Sequence, residues 1–359
     1  MFRKQLFSTV TVFLIVFCSM FISVGCENKD EENNNYRIVT AATEGMYILC
    51  QGDLATNNDG SITRINPKDW SVSQIKTNLG GYPRDVVIND NYLVVNAPDV
   101  NQIEFIDRKS LQSVRVINTK SLWDEKGAGP RRLLLNGQSL YVSFDAGYVG
   151  ELNMGSFSAE GIEKVGSYPE GMLYNRGVMV ANSDRGMGNA SIENVSMKYT
   201  PWKSATSDLL ICPIDIFYAG GKLCCLDKGT FDENGNQVHA GIRKISMDEI
   251  VNMIDATLYA RGNGNYFYVV NAPLTNPATP VTFGIYNIDT GTSEMFGADG
   301  LENPSAMGVD YLNGYVYVAC KGKDGNGGYV IIYTLDGQFV KKLGTGKNPI
   351  AIVVGWGEE

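Results

Sequence analysis

The chain holds a single histidine, His239, so a histidine metal triad or a Ser-His-Asp relay would have to rest on that one residue. No GxSxG, HExxH or phosphate-cradling glycine loop occurs. DENGN (232–236) and DGNGG (324–328) present alternating oxygen ligands but lack the closing Glu of an EF-hand, and they read as hairpin turns. What recurs instead is a mixture of aromatic, guanidinium, amide and carboxylate side chains at turn and strand-end positions. These are Tyr82, Arg84, Asn96, Arg131, Arg132, Asp145, Tyr148, Tyr168, Asn182, Arg185, Asp227, Phe231 and Asn271, with Gln51, Asp53, Asp99, Trp123, Glu170, Asp184 and Lys321 nearby in sequence. Aromatic faces supply apolar contact area, while amides and charges orient a large polar organic molecule through hydrogen bonds. No catalytic residue and no metal ligand is assigned, so the expected chemistry is recognition and not catalysis. The same residue types also suit turns, and singly each fits that plainer role.

The elements that would position these residues repeat. Pro83, Pro130, Pro169, Pro213, Pro304 and Pro349 are separated by 47, 39, 44, 91 and 45 residues, the gap of 91 being two periods with the marker missing near Leu258. Thirteen residues after most of these points a β-rich run ends, as in NYLVVN at Asn96, SLYVS at Ser143 and GVMVAN at Asn182, and YFYVVN at Asn271 counted from Leu258. A fixed period of this length marks an array of equal supersecondary units. The content is β-branched and aromatic with turn signals between runs, and helical periodicity is nearly absent. The expectation is an all-β, seven-bladed β-propeller with four-stranded blades. Unit one begins directly at MYILC (46–50), and IAIVV (350–354) has no successors; the C-terminal strand is therefore expected to join the first blade and close the ring. An open β-solenoid or a pair of β-sandwiches would share the strand content. Connections between first and second strands are short, so the longer second-to-third loops and the blade crossings share the opposite face. That face is the expected binding mouth, since rigid scaffolds carry function on loops.

The first residues belong to a different category. Arg3 and Lys4 precede an apolar run at 9–24, followed by Gly25-Cys26. This reads as a lipoprotein signal over 1–25, with lipidation of Cys26; a plain secretory signal or an uncleaved anchor is the alternative. Residues 26–43 then form a polar, acidic tether, and 44–359 the propeller. The chain carries 30 Lys+Arg and 39 Asp+Glu; without Arg3 and Lys4 the balance is 28 against 39, or −11. Such a surface argues against nucleic acid as a partner, and the lipid on Cys26 would be the membrane anchor. Cys50, Cys212, Cys224, Cys225 and Cys320 are odd in number and irregular in spacing, as expected of buried thiols.

EGMYILCQGDLATNNDGSITRINP (44–67), the YVVN-like strand ends and the Gly-x-x-Pro motifs at Gly80–Pro83 and Gly346–Pro349 resemble YncE-like propellers, in particular the "surface layer protein" lipoproteins of Bacteroidetes. The acidic run after Cys26 resembles their surface-export signal. Size, blade number and signal are similar to BtuG-type cobalamin-binding lipoproteins, although Cys50-Gln51 stands where many relatives carry Asn-Glu. The resemblance implies a protein on the outer face of the outer membrane that binds cobalamin or another corrinoid as ligand, not as cofactor. It also implies a BtuB-type TonB-dependent transporter as partner. Arg131→Ala or Tyr168→Ala is then expected to weaken corrinoid binding without unfolding the domain. An interaction propeller for protein or glycan, and a metal-dependent lactonase or lyase, are the other classes such a mouth can serve.

Overall fold

The computed structural model describes residues 41–53, 60–76, 81–195, 202–205, 209–246, 249–322 and 327–358. The signal, Cys26, most of the tether and part of DGNGG lie outside the described residues. A compact unit spans Ala41–Glu359.

Each proline period becomes one four-stranded antiparallel sheet. Blade 2 runs Asp85–Ile88, Tyr92–Ala97, Gln102–Asp107 and Ser113–Asn118. Its second strand is buried on both faces because neighbouring blades cover it from either side, whereas the outermost strand is largely exposed. Blades 3, 4, 5 and 7 open at Pro130, Pro169, Pro213 and Pro304, and blade 6 at Leu258. Seven such sheets are present, with an additional two-stranded ribbon, Thr230–Phe231 and Gln237–Val238, inserted in blade 5.

Blade 1 is completed by the far end of the chain. Pro349–Glu358 pairs antiparallel with Ala41–Cys50, from Ala41 opposite Glu358 to Cys50 opposite Pro349. The innermost strands neighbour one another around the axis, and Pro349–Glu358 takes its place between Pro304–Asp310 of blade 7 and Asp85–Ile88 of blade 2. The fold is a closed seven-bladed β-propeller. Thr43 Oγ1 donates to Asp310 at 2.6 Å, and Arg108 donates to Glu44 at 2.5 Å and to the Trp356 carbonyl at 2.6 Å. The closing pair of strands is thereby tied to both flanking blades.

The core lies between blades. Phe105 and Val94 of blade 2 pack with Phe144, Val142 and Leu140 of blade 3, and Met46 and Ile48 of blade 1 pack with Tyr317 and Ile332 of blade 7. Burying such a side chain fully contributes roughly 1.5–3 kcal/mol relative to leaving it exposed, so ring closure is driven by the same apolar area that joins every other blade pair.

The prolines sit where a missing N–H does least harm. Pro130, Pro169, Pro213, Pro304 and Pro349 are the first residues of their strands, and the register shifts directly after each of them. Such a bulge turns the next side chains toward the axis.

Candidate functional site

The residue after each blade proline lines one cavity at the axis. Arg84, Arg131, Glu170, Ile214, Ser305 and Ile350 follow the six prolines, and all six face a space of about 640 Å³. The bulge repeats from blade to blade, so the same position in each repeat reaches the same ring. Loops after the second strands add Gln51, Ser183, Arg185, Lys228, Phe231 and Lys321. The wall is mixed: Arg84, Arg131, Arg132, Glu170 and Arg185 concentrate charge on blades 2 to 4, with Lys228 of blade 5 and Lys321 of blade 7, while Ile350 of blade 1 and Ile214 and Phe231 of blade 5 supply apolar surface.

Glu170 is the hub of the charged half. Arg84 donates to both of its carboxylate oxygens at 3.3 Å, Arg131 donates to Oε1, and Arg132 Nε stands 3.8 Å from Oε2. Arg131 also bonds Asp145, and Arg132 pairs with Asp85 at 3.5 Å. Burial opposes the charge on Arg131, but Glu170 and Asp145 outweigh it and hold the guanidinium above its ordinary pKa. For Arg84 burial wins, helped by repulsion from Arg131 and Arg132, and its pKa is lowered. The Nε–H groups of Arg84, Arg131 and Arg132 are buried without a hydrogen-bond partner.

Deeper on the axis, Tyr259 donates to Asp215 at 2.9 Å, and the Leu133 N–H donates to Asp85. Desolvation raises the pKa of both carboxyls, opposed mainly by the charge on Arg132.

Tyr168, directly before Pro169, has φ 51°, and Asp184 and Arg185 have φ 43° and 51°. Three neighbouring non-glycine residues in the left-handed region are a local concentration of backbone strain, of the kind found at binding sites. The Ser183 N–H and hydroxyl both donate to the Tyr168 carbonyl and hold the two segments together. Arg185 stacks on the Tyr168 ring at 3.8 Å, and Arg131 lies 5.9 Å from the same centroid.

Of the residues singled out by sequence, Arg84, Arg131, Arg132, Arg185 and Phe231 line the cavity, with Tyr168 and Asp145 in contact with them. Asn96, Asn182 and Asp227 are fully buried; Asn96 and Asp227 spend their polar atoms on the scaffold, whereas Asn182 does so through its amide nitrogen and leaves Oδ1 without a partner. Asn96 accepts from the Asp85 N–H and donates to the Pro130 carbonyl; Asn182 donates to Ser191. Asp227 accepts three backbone N–H groups, from Ile211, Cys212 and Gly229. Tyr82 docks its N–H on Asp99, and Tyr148 lies under Lys126. Asn271 pairs with Thr282 in blade 6. Trp123 packs in the core between blades 2 and 3, not toward the axis. Arg131 is 7% exposed and paired twice, so its removal takes one of three arginines from Glu170, leaving Arg84 and Arg132, and takes from Asp145 its guanidinium partner.

Ile214, Ser305, Ile350 and Lys228 were not legible as site residues, although the position after the proline carries the signal for the first three. Asp232 accepts the N–H groups of Asn234 and Asn236, which makes DENGN a turn. The five cysteines are free and buried, and burial pushes the Cys212 thiol up to about 11. Among the described residues no group of three His, Cys, Asp or Glu side chains is gathered to hold a metal, and no helix is long and apolar enough to cross a membrane.

No protein-family model matches the chain, and no curated protein matches it significantly. Solved structures do. A chain of Kuenenia stuttgartiensis hydrazine synthase aligns with TM-score 0.61 at 16% identity, covering 77% of this chain and 90% of that one. A functionally unknown protein from Desulfotomaculum acetoxidans gives 0.62 at 10% identity, over 87% and 99%. A presumptive 6-phosphogluconolactonase from Bacteroides fragilis gives 0.59 at 12% identity, over 87% and 98%. These likenesses carry the fold alone.

Proposed function

We propose that the axial mouth is a binding site for a large polar organic ligand, and that the chain is a YncE-like, "surface layer"-type lipoprotein. In this reading Cys26 anchors it to the outer membrane, a corrinoid such as cobalamin is captured at the mouth, and a TonB-dependent transporter receives it. The observation that carries the reading is the mixed wall, with guanidinium groups from Arg84, Arg131 and Arg132 sharing one cavity with Ile214, Ile350 and Phe231. A corrinoid offers the matching pair of surfaces, with peripheral amide carbonyls and a phosphodiester to accept hydrogen bonds and a flat apolar rim to cover the isoleucines. The cavity, about 640 Å³, is smaller than a whole corrinoid, so only part of the ligand would enter it and the rest would lie over the mouth. Gel filtration of the full chain with cyanocobalamin tests the reading. Co-elution of the corrinoid absorbance with the protein is expected, and separate elution contradicts it.

A second reading is a lactonase, favoured by the Asp85–Arg132–Asp215–Tyr259 cluster on the axis and by neighbours bearing that name. Hydrolysis of 6-phosphogluconolactone, lost in Asp215→Asn, would support it over pure binding.

A further inference from the structure

The mouth is cationic in an acidic protein. The sequence carries a formal net charge of −9, yet the cavity wall holds Arg84, Arg131, Arg132, Arg185, Lys228 and Lys321 against the single carboxylate of Glu170. Three of these cations are engaged: Arg84, Arg131 and Arg132 share Glu170, with Asp145 and Asp85 as further partners. Arg185, Lys228 and Lys321 form no ion pair among the described residues. Arg185 is pinned face-on by Tyr168, which fixes the plane of the guanidinium and leaves its N–H edge available. Lys228 lies 5.9 Å from the Phe231 ring. Behind them, the Nε–H of the buried Arg131 has no acceptor, nor do those of Arg84 and Arg132. An unpartnered buried donor costs free energy that an incoming acceptor recovers, and like charges gathered without counterions repel one another. An anion seated between Arg185, Lys228 and Lys321 relieves the repulsion among them.

We propose that this ring of cations is an oxyanion subsite: Arg185, Lys228 and Lys321 receive a phosphate or carboxylate group of the ligand, whose apolar remainder lies against Ile214, Ile350 and Phe231. The inference rests on the mouth being a ligand site. It goes further in requiring a negative charge on whatever binds there, and the phosphodiester of a nucleotide-bearing corrinoid is one group that meets the requirement.

Calorimetric titration of the full chain with inorganic phosphate, and separately with citrate, tests it and tells the two oxyanions apart. Saturable binding of at least one is expected, weakening as salt rises. The affinity is expected to fall about tenfold or more in Arg185→Ala and in Lys228→Ala, since a hydrogen bond to a charged group is worth that factor. Arg185→Lys keeps most of it. Arg185 and Lys228 are both exposed, so thermal melting of the variants should match the parent and separate lost binding from lost folding. No binding of either anion, or affinities indifferent to both alanine variants, overturns the subsite. A parallel titration with cyanocobalamin keeps the two readings distinct. Phosphate or citrate bound with no corrinoid affinity leaves the subsite standing and ends the corrinoid reading, whereas corrinoid bound without any anion response ends the subsite alone.

Discussion

The guanidinium of Arg185 rests 3.8 Å from the centroid of the Tyr168 ring, and both residues hold left-handed backbone conformations with φ 51°. Each strained residue would on its own relax toward an ordinary conformation at a gain of roughly 1–3 kcal/mol. They are kept by the Ser183 bonds to the Tyr168 carbonyl and by the cation–π stack. The result is a rigid, charged platform at the rim of the axial cavity.

Removing the ring removes the platform. Tyr168→Ala is expected to weaken ligand binding at the mouth about tenfold, while a half-buried ring costs at most about 1 kcal/mol of fold stability. Tyr168→Phe keeps the stacking face and should bind as the parent does. Paired binding isotherms and urea melts check both expectations; equal losses in the Phe and Ala variants would show that the hydroxyl, not the face, matters.

Glu170 stabilises the charged half by pairing with three arginines at once, with Asp145 and Asp85 sharing the balance. Glu170→Ala leaves Arg131 with only Asp145 and Arg132 with only Asp85, and takes from Arg84 its carboxylate partner. Loss of one partner of a buried pair costs about 3–5 kcal/mol, to be read as a lower urea midpoint. Added salt should recover part of the loss. A variant as stable as the parent would mean that water, not Glu170, solvates these cations.

The axial carboxyls predict the pH response. Desolvation raises the folded-state pKa of Asp215 above its ordinary value, with Arg132 opposing. Its contribution to stability is therefore present in full below about pH 4, the unfolded value, and is lost as pH rises through the folded pKa. Asp215→Asn is expected to flatten that part of the stability–pH curve and to match or exceed the parent at pH 7. A steeper curve in the variant would show that the carboxylate is favoured in the folded protein.

A few polar ties reinforce the apolar packing and strand pairing that close the ring. Arg108 is buried and donates to Glu44, to the Asn89 carbonyl and to the Trp356 carbonyl. Arg108→Ala should cost about 2–3 kcal/mol and hasten amide exchange selectively along Pro349–Glu358. Uniform acceleration across all seven blades would instead indicate global destabilisation.

The proline period made the blade number and the closing strand legible, because each proline occupies a position where backbone pairing and the bulge require no N–H. The polar strand ends were legible as a pattern but ambiguous in role. Asn182 and Asp227 stand opposite Pro169 and Pro213 in register, and Asn96 opposite Asp85; all three are fully buried and bond the scaffold, Asn182 through its amide nitrogen alone. Their recurrence reflects the geometry of the blade start rather than a ligand. Ile214 and Ile350 were invisible for the converse reason: an isoleucine in a strand reads as core, and only the ring formed by the bulges turns it toward the axis. Lys228 depends on a loop path that no periodicity encodes.

The central claim is that the axial mouth holds the ligand, and calorimetry of the full chain with cyanocobalamin, repeated on Tyr168→Ala, tests it most directly. One-to-one binding by the parent and about tenfold weaker binding by the variant, with unchanged melting, is the predicted result. No heat from the parent, or equal affinity in both proteins, would contradict it.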